Sequence, residues 1–182
     1  MCVLVTGGAG YIGAHIVDLL IKSNYDVVVL DNLSSGYSEN INNKANFVLG
    51  DISNSNDLDK IFTNYNIDSV IHMAALKSPN ESIESPILYT DNNIIGSLSL
   101  ISKCMEYNVR KFIFSSTAAV YGSPSYIPID ENHNLSPINH YGFTKLYIEN
   151  YLEWIANSHG MQSICLRYFN AAGYSDDENL IK

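Results

Sequence analysis

No apolar run in this 182-residue chain comes near the roughly 20 residues needed to cross a bilayer, so a soluble protein is expected. A signal peptide is not expected either. Glycines cluster from Gly7 onward, before a basic region, an apolar region and a cleavage site could fit. Cysteine is scarce: Cys2, Cys104 and Cys165 are odd in number and widely scattered, without the short spacing of a zinc site or a redox pair. That usage suits a reducing cytoplasm, predicts no metal site, and leaves the three as small buried apolar residues. Cations are few, with 10 Lys and Arg against 19 Asp and Glu and a formal charge of −9. Nucleic acid and anionic membrane surfaces are thereby disfavoured as general partners. Internal repeats, low-complexity tracts and interdomain linkers are absent too. An acidic chain that binds phosphate would have to gather positive potential locally.

What is present alternates. "CVLVT" (2–6), "DVVVLD" (26–31), "NFVLGD" (46–51), "DSVIHMA" (68–74), "KFIFSS" (111–116) and "QSICLRYF" (162–169) read as six strands. Between them lie helical stretches: 11–22, with Ile12, Ile16, Leu19 and Leu20 on one face; 54–65; 87–107, with Ile94, Leu98, Ile101 and Met105 on one stripe; and 139–158, with Ile148, Leu152 and Ile155 inward. Continuously apolar strands separated by amphipathic helices predict an α/β fold, a doubly wound parallel sheet covered on both faces. The one long loop, 123–140, falls on the C-terminal side of the fifth strand, where such sheets place their ligands.

The stretch "VTGGAGYIGAH" places Gly8, Gly10 and Gly13 at G-x-G-x-x-G spacing, with Gly7 adding a second register. The spacing alone is weak, but here it follows a strand and opens a helix. Glycine lets backbone amides approach a pyrophosphate, and the helix N-terminus supplies the positive potential without a basic patch. Asp31 closes the second strand, placed to accept hydrogen bonds from an adenosine ribose. Asn32, Leu33, Ser34, Ser35 and Gly36 follow without the arginine that would suggest a 2′-phosphate, so NAD is favoured.

Further along, "YGFTK" sets Tyr141 and Lys145 four apart on one helical face. A phenol with an ordinary pKa of about 10 is a poor base near neutrality. A neighbouring ammonium, together with a positively charged nicotinamide, is expected to favour the phenolate and lower that pKa towards working pH. Ser115, Ser116 and Thr117 end the fifth strand at the mouth of the same site, offering a hydroxyl to a substrate oxygen.

Together "TGGAGYIG", "LDNLSSG", "GDI", "HMAALK", "DNN", "FIFSSTAAVYG", "YGFTK" and "RYFNAAG" occur in the order of the extended short-chain dehydrogenase/reductase family. The chain resembles the branch that epimerises carbon 4 of UDP-hexoses. The resemblance implies a Rossmann-type NAD-binding domain over residues 1–170 that carries the catalytic residues. It implies Tyr141, Lys145 and Thr117 as the catalytic trio, with Thr117, Tyr141 and Asn170 towards the sugar nucleotide. For NAD it implies Gly7, Gly10, Tyr11, Ile12 and Gly13 at the pyrophosphate. Asp31, Asn32, Ser34, Ser35 and Gly36 fall on the adenosine side, with Asp51 and Ile52 beside the adenine. Met73, Ala74, Ala75 and Lys77 run beneath the cofactor, joined by Asn92, while Phe169 meets the nicotinamide end. A UDP-sugar is the implied partner, with a homodimer, a cytoplasmic location and a place in galactose metabolism as further expectations.

Two positions discriminate within the family. Dehydrating and decarboxylating relatives carry carboxylates where Ala118 and Ala119 stand here, and elimination needs such acids and bases. Thr117 replaces the commoner serine and keeps the hydroxyl. Family members continue with a smaller substrate domain, of which 171–182 reads as a short remnant of the connection. Two readings stay open: a 4-epimerase of a UDP-hexose or another nucleotide-sugar, and a non-catalytic NAD-binding module.

Overall fold

The computed structural model describes residues 1–173. Six parallel strands form one sheet: β1 (Cys2–Thr6), β2 (Asp26–Asp31), β3 (Asn46–Leu49), β4 (Ser69–His72), β5 (Lys111–Thr117) and β6 (Gln162–Tyr168), in the order β3-β2-β1-β4-β5-β6. The helices are α1 (Tyr11–Lys22), α2 (Ser55–Asn64), α3 (Pro79–Glu84), α4 (Pro86–Tyr89), α5 (Gly96–Glu106) and α6 (His140–His159). This is the doubly wound parallel order, whose switch point falls between β1 and β4.

Side-chain alternation assigns the two faces. In β1, Val3 and Val5 join Val27 and Val29 of β2 and Val17 of α1 on one side. Leu4, Val28 and Leu30 point the other way. There they meet Leu58 and Ile61 of α2, Leu100 and Ile101 of α5, and Ile148 and Leu152 of α6. The expected inward residues of α6, Ile148, Leu152 and Ile155, are all buried.

The expected face of α1 is corrected. Leu19 is 66% exposed and Ile12, Ile16 and Leu20 are only partly buried, whereas Gly13, Ala14 and Val17 face the sheet. At the first turn the reason is distance: a Cβ on Gly13 would lie 2.1 Å from the Gly7 carbonyl oxygen, so no side chain fits there.

Edge strands depart from the fully buried expectation. β3 and β6 each pair on one side only, and Leu49, Ile164 and Leu166 stay exposed. The expected single helix over 87–107 is α4, a π turn over Thr90–Ile95, and α5. The short helix α3 lies in a stretch to which the sequence pattern assigns no element. Of the three cysteines Cys104 is buried, while Cys2 and Cys165 are partly exposed and packed against the core; all are free. Among the described residues no helix is long and apolar enough to cross a membrane.

Candidate active site at the switch point

Three helices begin with a side-chain cap. Asn54 accepts from the Asn56 amide for α2, Ser78 from Glu81 for α3, and Asn139 from Gly142 for α6. α1 differs: its N-cap is Gly10, with no side-chain acceptor and no acidic residue in the first turn. Its leading N–H groups, at the positive end of the helix, are free to meet an anion. Gly7 adopts φ +70°, and a Cβ there would lie 2.6 Å from the Ala74 amide nitrogen. The loop is therefore wrapped tightly between β1 and the chain leaving β4.

Asp31 ties this loop to the next. Its Oδ2 accepts the Ala9 amide at 2.9 Å and its Oδ1 the Leu33 amide at 2.8 Å. Leu33 takes the left-handed region at φ 58°, uncommon for a branched residue, immediately after that anchor. Beyond it Asn32 donates to Asp51 at 2.7 Å, and the amide and hydroxyl of Ser53 donate to Asp51 at 2.8 and 2.7 Å. Burial raises the Asp51 pKa, but these bonds outweigh it and hold the carboxyl below its usual range.

A cleft of about 540 Å³ runs from these loops across the C-terminal ends of β1, β4 and β5 to the end of β6. Every residue expected at a site lines it, from Gly7, Gly10, Tyr11, Ile12 and Gly13 through Asp31, Asn32, Ser34, Ser35, Gly36, Asp51 and Ile52 to Met73, Ala74, Ala75, Lys77 and Asn92. Thr117, Tyr141, Lys145, Phe169 and Asn170 complete the set. Ala119, where decarboxylating relatives carry a carboxylate, lines it too, as do Leu76, Pro79 and Tyr168, which no chemical signature in the sequence marks.

At the far end α6 projects two side chains. Lys145 is 3% exposed; its Nζ donates to the Ser115 carbonyl at 2.8 Å and sits 4.8 Å above the Phe114 ring. Burial pulls this ammonium down to about 7, against the opposing pull of the Glu149 charge. Tyr141 sits beside the Thr117 hydroxyl. Burial raises its phenol above the usual range and the bond with Thr117 opposes the rise. The lowering expected from Lys145 together with a nicotinamide charge is not displayed by the chain alone, where desolvation dominates both groups.

Two of the three candidate hydroxyls differ in their partners. Ser116 lines the cleft, but its hydroxyl is committed to the buried Glu149 carboxylate. Thr117 accepts the Ala119 amide at 3.2 Å and keeps its place beside Tyr141.

Two buried polar networks escaped the sequence reading. Glu149 on α6 is held by Arg167 of β6, which also donates to the Tyr121 hydroxyl at 3.1 Å. His72 of β4 contacts Thr6 Oγ1 at 2.6 Å and Ser97 Oγ at 2.8 Å, and burial drives its pKa to about 3. Among the described residues no cluster of His, Cys, Asp and Glu could hold a metal.

A glycine-walled loop, an uncapped helix start, an acid after β2 and a Tyr–Lys pair on one α/β switch point are the features of a dinucleotide-binding domain. The chain matches, over residues 3–182, and belongs to the NAD dependent epimerase/dehydratase family. The UDP-glucose 4-epimerase of Halalkalibacterium halodurans is 49% identical over 173 residues, covering 95% of this chain and 52% of the relative. A crystal structure of a UDP-glucose 4-epimerase superposes with a TM-score of 0.96 at 41% identity, covering 98% of this chain and 54% of that one. That of Brucella ovis, in complex with NAD, gives a TM-score of 0.92 at 42% identity, covering 96% and 53%. The chain therefore spans about half the length of the curated relatives it matches.

Proposed function

We propose that the chain is the NAD-binding and proton-handling part of an enzyme that epimerises carbon 4 of a UDP-hexose such as UDP-glucose. One observation carries the reading: Tyr141, Thr117 and Lys145 converge in the same cleft as the glycine loop and Asp31. The uncapped N-terminus of α1 and the narrow Gly7–Gly13 contact suit a pyrophosphate. Asp31, Asn32, Ser34, Ser35 and Gly36 would hold the adenosine ribose, with Asp51 and Ile52 at the adenine. Met73 to Lys77 would form the bed beneath the cofactor, with Lys77 a cation at its exposed side. Asn92 and Phe169 would bound the nicotinamide half, and Asn170 would meet the nucleotide-sugar. By this reading residues 1–170 form the NAD domain and 171–182 the connection onward, most of which lies outside the described residues.

When bound, NAD would supply a reversible acceptor for the hydride on carbon 4 of the sugar. The chain's own residues handle the proton. Tyr141 takes it from the 4-hydroxyl, and Thr117, in hydrogen-bond contact with the phenol, shares the path and fixes its direction. Lys145, seated on the Ser115 carbonyl, would hold the nicotinamide ribose and, as ammonium, favour the phenolate. Both pKa values are set against this by burial in the chain alone, so added positive charge in the cleft is what would bring Tyr141 into range. Ala118 and Ala119 offer no carboxylate for elimination, which supports epimerisation over dehydration or decarboxylation.

A second reading, an NAD-binding module without turnover, is favoured by the half-length match to its relatives. Association into a homodimer is supported by Phe143, Tyr147 and Trp154, exposed along one side of α6. The unpaired cysteines support a cytoplasmic location. The test is to purify the protein without added cofactor, denature it and quantify released NAD and NADH, then assay UDP-glucose against UDP-galactose with Tyr141→Phe as control. Near-stoichiometric dinucleotide with tyrosine-dependent turnover supports the first reading. Dinucleotide without turnover supports the second, and no dinucleotide, retained or taken up, sinks both.

A further inference from the structure

Tyr141 is held from outside its own helix. Its amide is among the first N–H groups of α6, which have no acceptor within the helix. Asn139 caps Gly142 instead, and the Tyr141 amide donates to the hydroxyl of Ser82, at 3.0 Å. Ser82 is fully buried on α3, and its own hydroxyl proton goes to the Pro79 carbonyl at 2.6 Å. Pro79 and the preceding Leu76 and Lys77 line the cleft. One serine hydroxyl therefore joins the bed of the cleft to the backbone of the tyrosine.

A second strut runs parallel. Asn93, in the π turn, accepts the Leu76 amide and donates to the Leu76 carbonyl, both at 2.9 Å. It also donates to Thr144 Oγ1 at 3.2 Å, and Thr144 donates to the Tyr141 carbonyl at 2.7 Å. The amide and carbonyl of Tyr141 are thus both tied, through buried side chains, to the ends of segment 76–79.

We propose that Ser82 is a positioning residue that couples occupancy of the cleft to the placement of Tyr141: a ligand pressing on 76–79 moves Pro79, Ser82 and the start of α6 as one unit. The inference rests on the dinucleotide reading above. Because Ser82 touches neither ligand nor phenol, its effect is on where the tyrosine sits and not on how tightly the cleft binds.

The experiment follows the Tyr141 phenol by carbon NMR of ring-labelled tyrosine, its signal assigned with Tyr141→Phe, as pH is raised with and without NAD. In the wild-type chain NAD lowers the titration midpoint. In Ser82→Ala that NAD-induced shift is largely lost while NAD affinity falls by no more than about tenfold, the worth of one hydrogen bond. Ser82→Thr, which restores the hydroxyl, restores the shift. Should Ser82→Ala fail to fold, Ser82→Cys, similar in size and a weak hydrogen bonder, is read in the same way. An NAD-induced shift in the variant equal to wild type overturns the inference and leaves the dinucleotide reading intact. Failure of the wild-type chain to bind NAD overturns both.

Discussion

Arg167 of β6 grips Glu149 of α6 through three contacts, Nε to both carboxylate oxygens at 3.1 and 3.2 Å and Nη2 to Oε2 at 2.7 Å. The pair pins the last strand of the sheet to the helix that carries Tyr141 and Lys145. Removing one partner leaves the other charge partly buried and unpaired, a change that costs about 3 kcal/mol. Glu149→Ala is therefore expected to lower the unfolding free energy by that amount, read as a lower urea midpoint at unchanged slope. Glu149→Gln, which keeps an oxygen for Arg167, should lose less. An unfolding free energy within about 0.5 kcal/mol of wild type for Glu149→Ala would show that the pair does not anchor the edge strand.

The tight wall of the glycine loop gives the second expectation. In Gly13→Ala the new Cβ would stand 2.1 Å from the Gly7 oxygen, so the loop must open and its amides leave the line they present to a pyrophosphate. NAD affinity measured by calorimetry should fall at least about 100-fold, the loss of roughly two charge-assisted hydrogen bonds. Leu58→Ala, in the core under α2, separates binding from general damage: it should cost about 2–5 kcal/mol of stability and leave NAD affinity unchanged. Equal loss of affinity in both variants would mean that the loop has no special part in binding.

Much of this was legible in the sequence because local chemistry and global topology agree. The strand between Asp26 and Asp31 is apolar on both faces and lies in the sheet interior as its pattern predicts. The site residues were legible for a different reason: glycine spacing, Asp31 and the Tyr141–Lys145 step each report a backbone or electrostatic requirement that few other residues meet. What stayed hidden depends on long-range packing. Leu19 looks inward by periodicity, yet Gly13, Ala14 and Val17 take that face, with the glycine loop pressed against Gly13. Ile164 and Leu166 look like core, yet their strand is an edge. Ser82 and Glu149 are unremarkable residues until the fold brings partners 59 and 18 positions away to them.

Acid should loosen the fold through His72. Its pKa lies at about 3 when folded against 6.5 as the ordinary value, with burial the first cause and the Lys145 charge the second. Between those values the unfolded chain binds the extra proton, so the contribution is full above 6.5 and is lost as pH falls towards 3, at up to about 1.4 kcal/mol per pH unit. Thr6 and Ser97, its two hydroxyl partners, carry no charge to offset this. Denaturant titrations from pH 7 to pH 4 should show a steeper decline for the wild type than for His72→Gln. Parallel curves would assign the acid sensitivity to carboxylates instead.

Lys145 acts in the opposite range and sets function against stability. Its folded pKa of about 7 lies below the ordinary 10.5, so between these values the unfolded chain holds more protons and stability rises with pH. At pH 7 and below, the fold carries an incompletely compensated buried ammonium, with the Ser115 carbonyl and the Phe114 ring as its contacts and Glu149 already engaged by Arg167. Lys145→Met should therefore be more stable than wild type at pH 7, with the gap closing as pH approaches 10. The window is bounded above by Tyr141, Cys104 and Cys165, whose raised pKa values remove stability as alkali ionises them in the unfolded chain. Saturating NAD should reverse the order at pH 7, because a ligand that meets the ammonium stabilises only the wild type. A gap that stays constant from pH 7 to pH 10 would mean that packing of the longer side chain, and not the burial of its charge, decides the difference.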